Sequence, residues 1–246
     1  GYLARRMLLA GLIAAPLLPA RTDAQAPGGG SGATLQAWLK ARAGQRGPIV
    51  LPAAPLPLSL TGPVVVPRGM SLVVRRDLVG DGKARLVLSE DVSIRFEGCR
   101  VKDVPLHPQG GTISIAGLDY SGRLHPAAIL IAGPGRFRDL LIEDFRISDA
   151  NFGILRQGRN SSLAGAIVRR GRFARLRGDA IEWNSCPDDV DVVVEDHRID
   201  GIDDPLGRPH WGIGIGVAGR PDPDWNPARM AKRFTIRNIR GRALRQ

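Results

Sequence analysis

The chain has 246 residues, 31 of them Gly and 19 Pro, with 5% aromatics and a formal net charge of +11 at pH 7. That length suits one domain or one stacked solenoid, and the excess of turn formers over aromatics favours many short strands. Arginine supplies almost all of the charge, since lysine stands only at 40, 83, 102 and 232; a basic surface attracts anions, but no basic cluster interleaved with aromatics is present, which excludes the common nucleic-acid-binding classes.

Residues 1–26 read as an export signal. Arg5-Arg6 precede the short apolar run Met7-Leu8-Leu9-Ala10-Gly11-Leu12-Ile13-Ala14-Ala15, and Ala24-Gln25-Ala26 offers a small-x-small cleavage site. The run is too short for a stable membrane anchor. Paired arginines point to the twin-arginine route, with an ordinary secretory signal as the alternative. The expected location is periplasmic or extracellular. Residues 27–32 form a Gly-rich linker, and one domain is expected over 33–246, truncated at its C-terminal end because the sequence stops inside a repeat. Thr34 is expected to cap a short helix from Leu35 to about Ala43, ended by Gly44. Its apolar stripe, Leu35, Trp38 and Leu39, suits a cover over the open end of a stack.

From Ile49 onward short β-branched runs alternate with Gly or Pro breaks, among them Val64-Val65-Val66, Ile113-Ser114-Ile115 and Ile129-Leu130-Ile131. Ile142, Val168 and Val194 lie 26 residues apart, as do Ile147, Phe173 and Ile199, and Ala150, Leu176 and Ile202. A fixed period of this size means stacked supersecondary units. The units carry β runs rather than helix pairs, so the predicted fold is all-β: a right-handed parallel β-helix with a short N-terminal capping helix. Export permits a disulfide, but Cys99 and Cys186 are more than three such coils apart. At roughly 4.8 Å per coil that is on the order of 15 Å, far beyond disulfide reach. Two separate buried thiols are expected. Neither has a His at metal-ligand spacing, and the sequence implies no metal and no cofactor.

The densest chemistry lies in residues 178–219. The repeat aligns Gly153–Gln157 with Asp179–Trp183, and the run Trp211–Val217 follows after a six-residue delay. Side chains alternate along a strand. The expected inner row is Leu155, Ile181 and Ile213; the expected outer row is Arg156, Glu182 and Gly214, with Gly216 beside Asn184. Interior strand glycines mark close approach of a ligand, so Gly212, Gly214 and Gly216 suggest a bare floor. The inserted loop 203–210 would bring acids, Arg208 and His210 beside it. The candidate catalytic residues are therefore Glu182, Asp179, Asp203 and Arg156. The candidate substrate-binding residues are Trp183, Asn184, Trp211, Gly214, His210 and Arg208, the tryptophans as flat faces for sugar rings. Hydrolysis of a glycosidic bond needs two facing carboxyls, whereas a lyase needs a base and a cation for a uronate carboxylate. The same residues also fit structural roles: an Arg156–Glu182 cross-strand pair, or Asp203-Asp204-Pro205 as a turn. His197 is expected to point inward as a structural imidazole. The glycine strand is not a phosphate loop, since no helix and no Lys-Ser/Thr follow it.

The stretches ANFGILRQG (150–158), GDAIEWN (178–184), Asp196-His197 and WGIGIGVAG (211–219) resemble the colanic acid biosynthesis β-helix family of slime exopolysaccharide clusters, with its pectin-lyase-like fold. The likeness is specific over 150–246 and general over 33–149. It implies a role in making, trimming or exporting an acidic polysaccharide, and no established reaction. Asp204 departs from the family's usual residue, which shifts weight to Glu182 with Asp179 and Arg156 in support. Three roles stay open: a polysaccharide lyase or hydrolase, a non-enzymatic glycan-binding scaffold, and a structural surface solenoid. The expected partner is an acidic polysaccharide, and the oligomeric state is left open.

Overall fold

A computed structural model describes residues 31–158, 161–202, 212–218 and 230–244. The export signal expected over 1–26 and most of the linker lie outside them. Among the described residues no helix is long and apolar enough to cross a membrane.

Each coil presents three faces. In one full coil, Arg136–Glu143 lies on the first face, Arg146–Ser148 on the second and Phe152–Gln157 on the third. The next coil repeats this with Ala166–Arg169, Arg172–Leu176 and Ile181–Asn184. After it, Val190–Ile202 runs unbroken through the first two faces, as does Lys232–Leu244. The first two faces belong to one 15-stranded sheet and the third forms a seven-stranded sheet. The pairing is parallel throughout, from Pro48–Leu51 against Ser71–Val74 to Val190–Ile202 against Lys232–Leu244. These are the stacked coils of a right-handed parallel β-helix, the hand that parallel crossovers take.

Three aliphatic columns fill the interior. Ile94, Ile115, Ile142, Val168 and Val194 stand in register on the first face. Val101, Tyr120, Ile147, Phe173 and Ile199 do so on the second. Leu106, Ile129, Ile154, Ile181 and Ile215 do so on the third. Nearly all are fully buried, each such side chain contributing roughly 1.5–3 kcal/mol of transfer free energy. The 26-residue step therefore holds on the first two faces. It fails on the third, where Ile181 lies beside Ile154 and not Leu155. The corner from Ser148 to Ile154 takes six steps and the corner from Ala174 to Ile181 takes seven. One added residue reverses the alternation of everything after it. Ile213 likewise leaves the expected inner row: it is 43% exposed, and Ile215 takes its place.

The N-terminal helix runs Gly32–Lys40 and begins earlier than expected. Ser31, not Thr34, is its N-cap, with Oγ accepting from the Thr34 backbone N–H at 3.4 Å. Beyond Lys40 the chain continues in turns to Gly44, whose φ of 81° marks the stop. Leu35, Trp38 and Leu39 are buried as the stripe predicted. Gln36 closes a strand edge: its Oε1 accepts from Val65 N–H at 2.6 Å and its Nε2 donates to Val65 O at 3.0 Å. Ser31 forms a parallel backbone bridge with Ser59 on the neighbouring face. The helix thus covers core and edge together, which removes a template for aggregation. Cys99 and Cys186 are buried and free.

The register is tested by two substitutions on one strand. Ile154→Ala, in the inner column, is expected to cost about 2–5 kcal/mol in urea unfolding. Gln157→Ala, three residues on and exposed on the outer face, is expected to stay within about 0.5 kcal/mol of the parent.

Candidate functional site

The outer surface of the third face carries two rows. Leu130, Leu155, Glu182 and Gly216 form one; Ala132, Gln157, Asn184 and Ala218 form the other. Glu182 is half-buried, and that burial raises its proton affinity, opposed by a hydrogen bond from Asn184 Nδ2 at 3.0 Å. Gly216 lies directly across from Glu182 and brings no side chain of its own there. Gly214 precedes the strand, and its carbonyl accepts from Ile181 N–H at 3.2 Å. Asp179 is only 3% exposed. Burial pushes its carboxyl up to about 6, while backbone N–H groups of Ile213, at 2.8 Å, and Gly212 work the other way. Asp179 is thus a clamp that holds the start of segment 212–218 against the preceding coil.

Arg156 is not where the sequence puts it. The shifted alternation turns it inward, fully buried, beside Trp183 rather than above Glu182. Its guanidinium forks the carboxylate of Asp189, Nε to Oδ2 at 2.8 Å and Nη2 to Oδ1 at 2.7 Å. Nη1 donates to Ser161 Oγ at 2.7 Å. Trp183, expected as a sugar platform, is 1% exposed and donates its indole N–H to the same Asp189 at 2.8 Å. Asp203, Arg208, His210 and Trp211 lie outside the described residues, as does Asp204. Of the expected set, the third face brings together Glu182, Asn184 and Asp179, with Gly214 at the edge. Only Glu182 points a carboxyl outward there. The second carboxyl beside it is Asp179, whose Oδ2 would lie 3.3 Å from a Cβ on Gly216 and whose charge Glu182 opposes, but it is 3% exposed and accepts from the Ile213 N–H.

A second concavity lies at the bend between the first and second faces, a groove of about 1000 Å³. The bend is made by one left-handed residue per coil: Gly117, Asp144, Arg170, Asp196 and Asn238, with φ between 53° and 72°. Asp and Asn tolerate that region through local hydrogen bonds. Arg170 adopts it while forking Asp144, Nε to Oδ1 at 2.6 Å and Nη2 to Oδ2 at 2.8 Å. Asn238 Nδ2 donates to Asp196 Oδ1 at 2.9 Å. Phe145, Gly171 and His197 form the floor. His197 is buried as expected, its Nδ1 accepting from Gly171 N–H at 3.0 Å and its Nε2 donating to Val168 O at 3.1 Å. Burial lowers its proton affinity. A Cβ on Gly171 would meet the Phe145 ring at 2.1 Å and His197 Nδ1 at 2.7 Å, so glycine is required there.

The far wall is a column of exposed arginines. Arg146, Arg172, Arg198 and Arg240 stand in register across four coils. Arg198 Nε lies 2.6 Å from Asp200 Oδ2. Arg146, Arg172 and Arg240 form no ion pair with any described residue. This column carried a signal that the sequence reasoning passed over: 146, 172 and 198 obey the same 26-residue step as the core.

A family model described as "Colanic acid biosynthesis WcaM" matches residues 34–246. The chain is 35% identical over 202 residues to the "Colanic acid biosynthesis protein WcaM" of Salmonella typhimurium, covering 80% of this chain and 43% of that protein. It is 34% identical over 202 residues to the protein of the same name from Shigella flexneri, covering 80% and 44%. The chain spans less than half the length of these relatives.

Two measurements test the buried groups. Asp189→Ala strands the Arg156 charge and is expected to cost about 3–5 kcal/mol, whereas the double replacement Arg156→Leu, Asp189→Leu should recover more than half of that loss. For Asp179 the folded value of about 6 stands above the ordinary carboxyl value of 3.8, so the folded form binds the extra proton and stability falls as pH rises from about 4 through 6. Asp179→Asn is therefore expected to melt above the parent at pH 7.5, by up to about 3 kcal/mol, and to lose that advantage at pH 4.

Proposed function

The chain belongs to the colanic acid biosynthesis WcaM family, and from that premise we propose that it is an exported protein that binds an acidic exopolysaccharide in the arginine-walled groove without cleaving it. Export rests on the Arg5-Arg6 pair and the apolar run behind it. The observation that carries the binding is the wall itself: Arg146, Arg172 and Arg240 have no acidic partner among the described residues and face a concave surface. A guanidinium presents a rigid fork that matches a carboxylate bidentately. The third face is a poorer seat for an acidic chain, because Glu182 would repel it and Asp179 is engaged with backbone.

One observation favours a processing role as the second reading. Burial raises the proton affinity of Glu182, the direction a general acid needs. That reading takes Asp179, the buried carboxyl beside Glu182, as its second acid group.

Binding is tested with an acidic and a neutral polysaccharide across a salt series. The acidic polymer alone is expected to bind, and to weaken as salt rises. Arg172→Ala should weaken it about fivefold, the effect of about 1 kcal/mol, while Glu182→Gln leaves it unchanged or slightly tighter. Loss of binding in Glu182→Gln with none in Arg172→Ala would move the site to the third face, and release of new chain ends would restore the processing role.

A further inference from the structure

Resting on that reading, we infer that the groove is a lengthwise track for a linear glycan bearing carboxylates along one edge, lying parallel to the solenoid axis with one arginine offered by each coil. Two neighbouring columns in the same coils carry the argument. On the first face, Glu143, Arg169, Glu195 and Arg237 stand in register and alternate in sign. They close on themselves: Arg169 pairs with Glu143 at 2.7 Å and Arg237 with Glu195. Across the bend, the column reads Asp119, Arg146, Arg172, Arg198 and Arg240. After one acid it is positive four times in succession.

Stacked coils lie roughly 4.8 Å apart, well inside the screening length of about 8 Å at physiological salt. Like charges directly opposite each other are destabilising. Duplication of a coil does not explain the run, because the same coils alternate sign one bend away. A ligand with its own row of negative charge relieves it. An extended pyranose chain advances by a distance close to one coil per sugar while its rings turn about the axis, so uronate carboxylates that face the same side can meet the arginine column at every second or third coil.

The two walls differ, and that orients the chain. Opposite the arginines, Asp144 is taken by Arg170 and Asp196 by Asn238. That wall offers hydroxyl-binding oxygens and amides but no free cation. The floor between them adds no charge: Phe145 and His197 are buried and Gly171 brings no side chain. The carboxylate edge therefore faces Arg146, Arg172, Arg198 and Arg240, and the hydroxyl edge faces the bend.

The test uses oligogalacturonates from dimer to octamer, titrated against the full chain at low salt, with malto-oligosaccharides of equal length and single-stranded oligonucleotides beside them. Affinity is expected to climb severalfold with oligomer length until the oligomer spans the four arginines, and then to level off. Arg172→Ala and Arg198→Ala should each flatten that climb, and Arg172→Lys should fall between because it keeps charge and loses the fork. Arg75→Ala, an exposed arginine paired with Glu97 on an earlier coil, should change nothing; thermal melts confirm that each variant folds. Acidic oligomers that bind with no plateau, or with the climb intact in Arg172→Ala, overturn the track while leaving acidic-glycan binding standing. Failure of every uronate to bind overturns the underlying reading. Oligonucleotides that match the uronates length for length overturn the glycan assignment.

Discussion

The parallel ladder between coils is the constraint from which the rest follows. A strand here has no hairpin partner of its own, so its backbone N–H and C=O groups find acceptors and donors only in the coils above and below. The aliphatic side chains likewise bury only against the same position of the next coil. No coil is stable alone, and position therefore propagates: whatever stands inward at Ile142 must stand inward at Val168 and Val194. The outer surface inherits the same rule. Exposed residues come as columns, and each column must settle its charge with its own neighbours.

Where the repeat holds, this made the fold readable from sequence. The first two faces keep the 26-residue step, so Ile147, Phe173 and Ile199 could be aligned by counting. The third face could not, because the corner before Ile181 carries one more residue than the corner before Ile154. Nothing in the composition of either corner announces the difference. The consequence is concentrated in the candidate site, where one residue of slip exchanges inside for outside. Arg156 went in, Leu155 came out, and the expected Arg156–Glu182 pair disappeared, while Trp183, two residues after Ile181, faces inward in either register. Glu182 and Asn184 kept their outward places because they follow Ile181 directly. The clamp from Asp179 to Ile213 was beyond sequence reasoning, since it joins residues 34 apart that no repeat relates.

The buried Arg156–Asp189 pair sits at the face where counting fails. Removing two charges from water is expensive, and the close fork with its added bonds from Ser161 and Trp183 only offsets that cost. Such pairs contribute little net stability, but they discriminate between alternatives. Slipping the third face by one residue would carry Arg156 out to solvent and leave Asp189 charged and alone in the interior. An aliphatic column tolerates a slip to another aliphatic far better than this pair tolerates separation. The polar centre thus supplies the register on the third face that the repeat supplies on the other two.

The bend between the first and second faces connects this architecture to the groove. A left-handed residue in each coil turns the chain sharply enough to make the surface concave. Because every coil bends at the same place, the concavities merge into a groove along the axis instead of isolated dimples. The floor adds no charge. His197 takes the Gly171 N–H on one ring nitrogen and gives its proton to Val168 O on the other, an arrangement that only the neutral imidazole can satisfy. Protonation would set an N–H against an N–H in a buried site, which is why burial and bonding together keep this ring uncharged. The bend wall is self-paired across coils, Asp144 with Arg170 and Asp196 with Asn238. The charge of the groove therefore resides in the one column that neither backbone geometry nor core packing requires to be arginine. Folding leaves the identity of those positions open, and the proposed acidic glycan would account for their uniform sign.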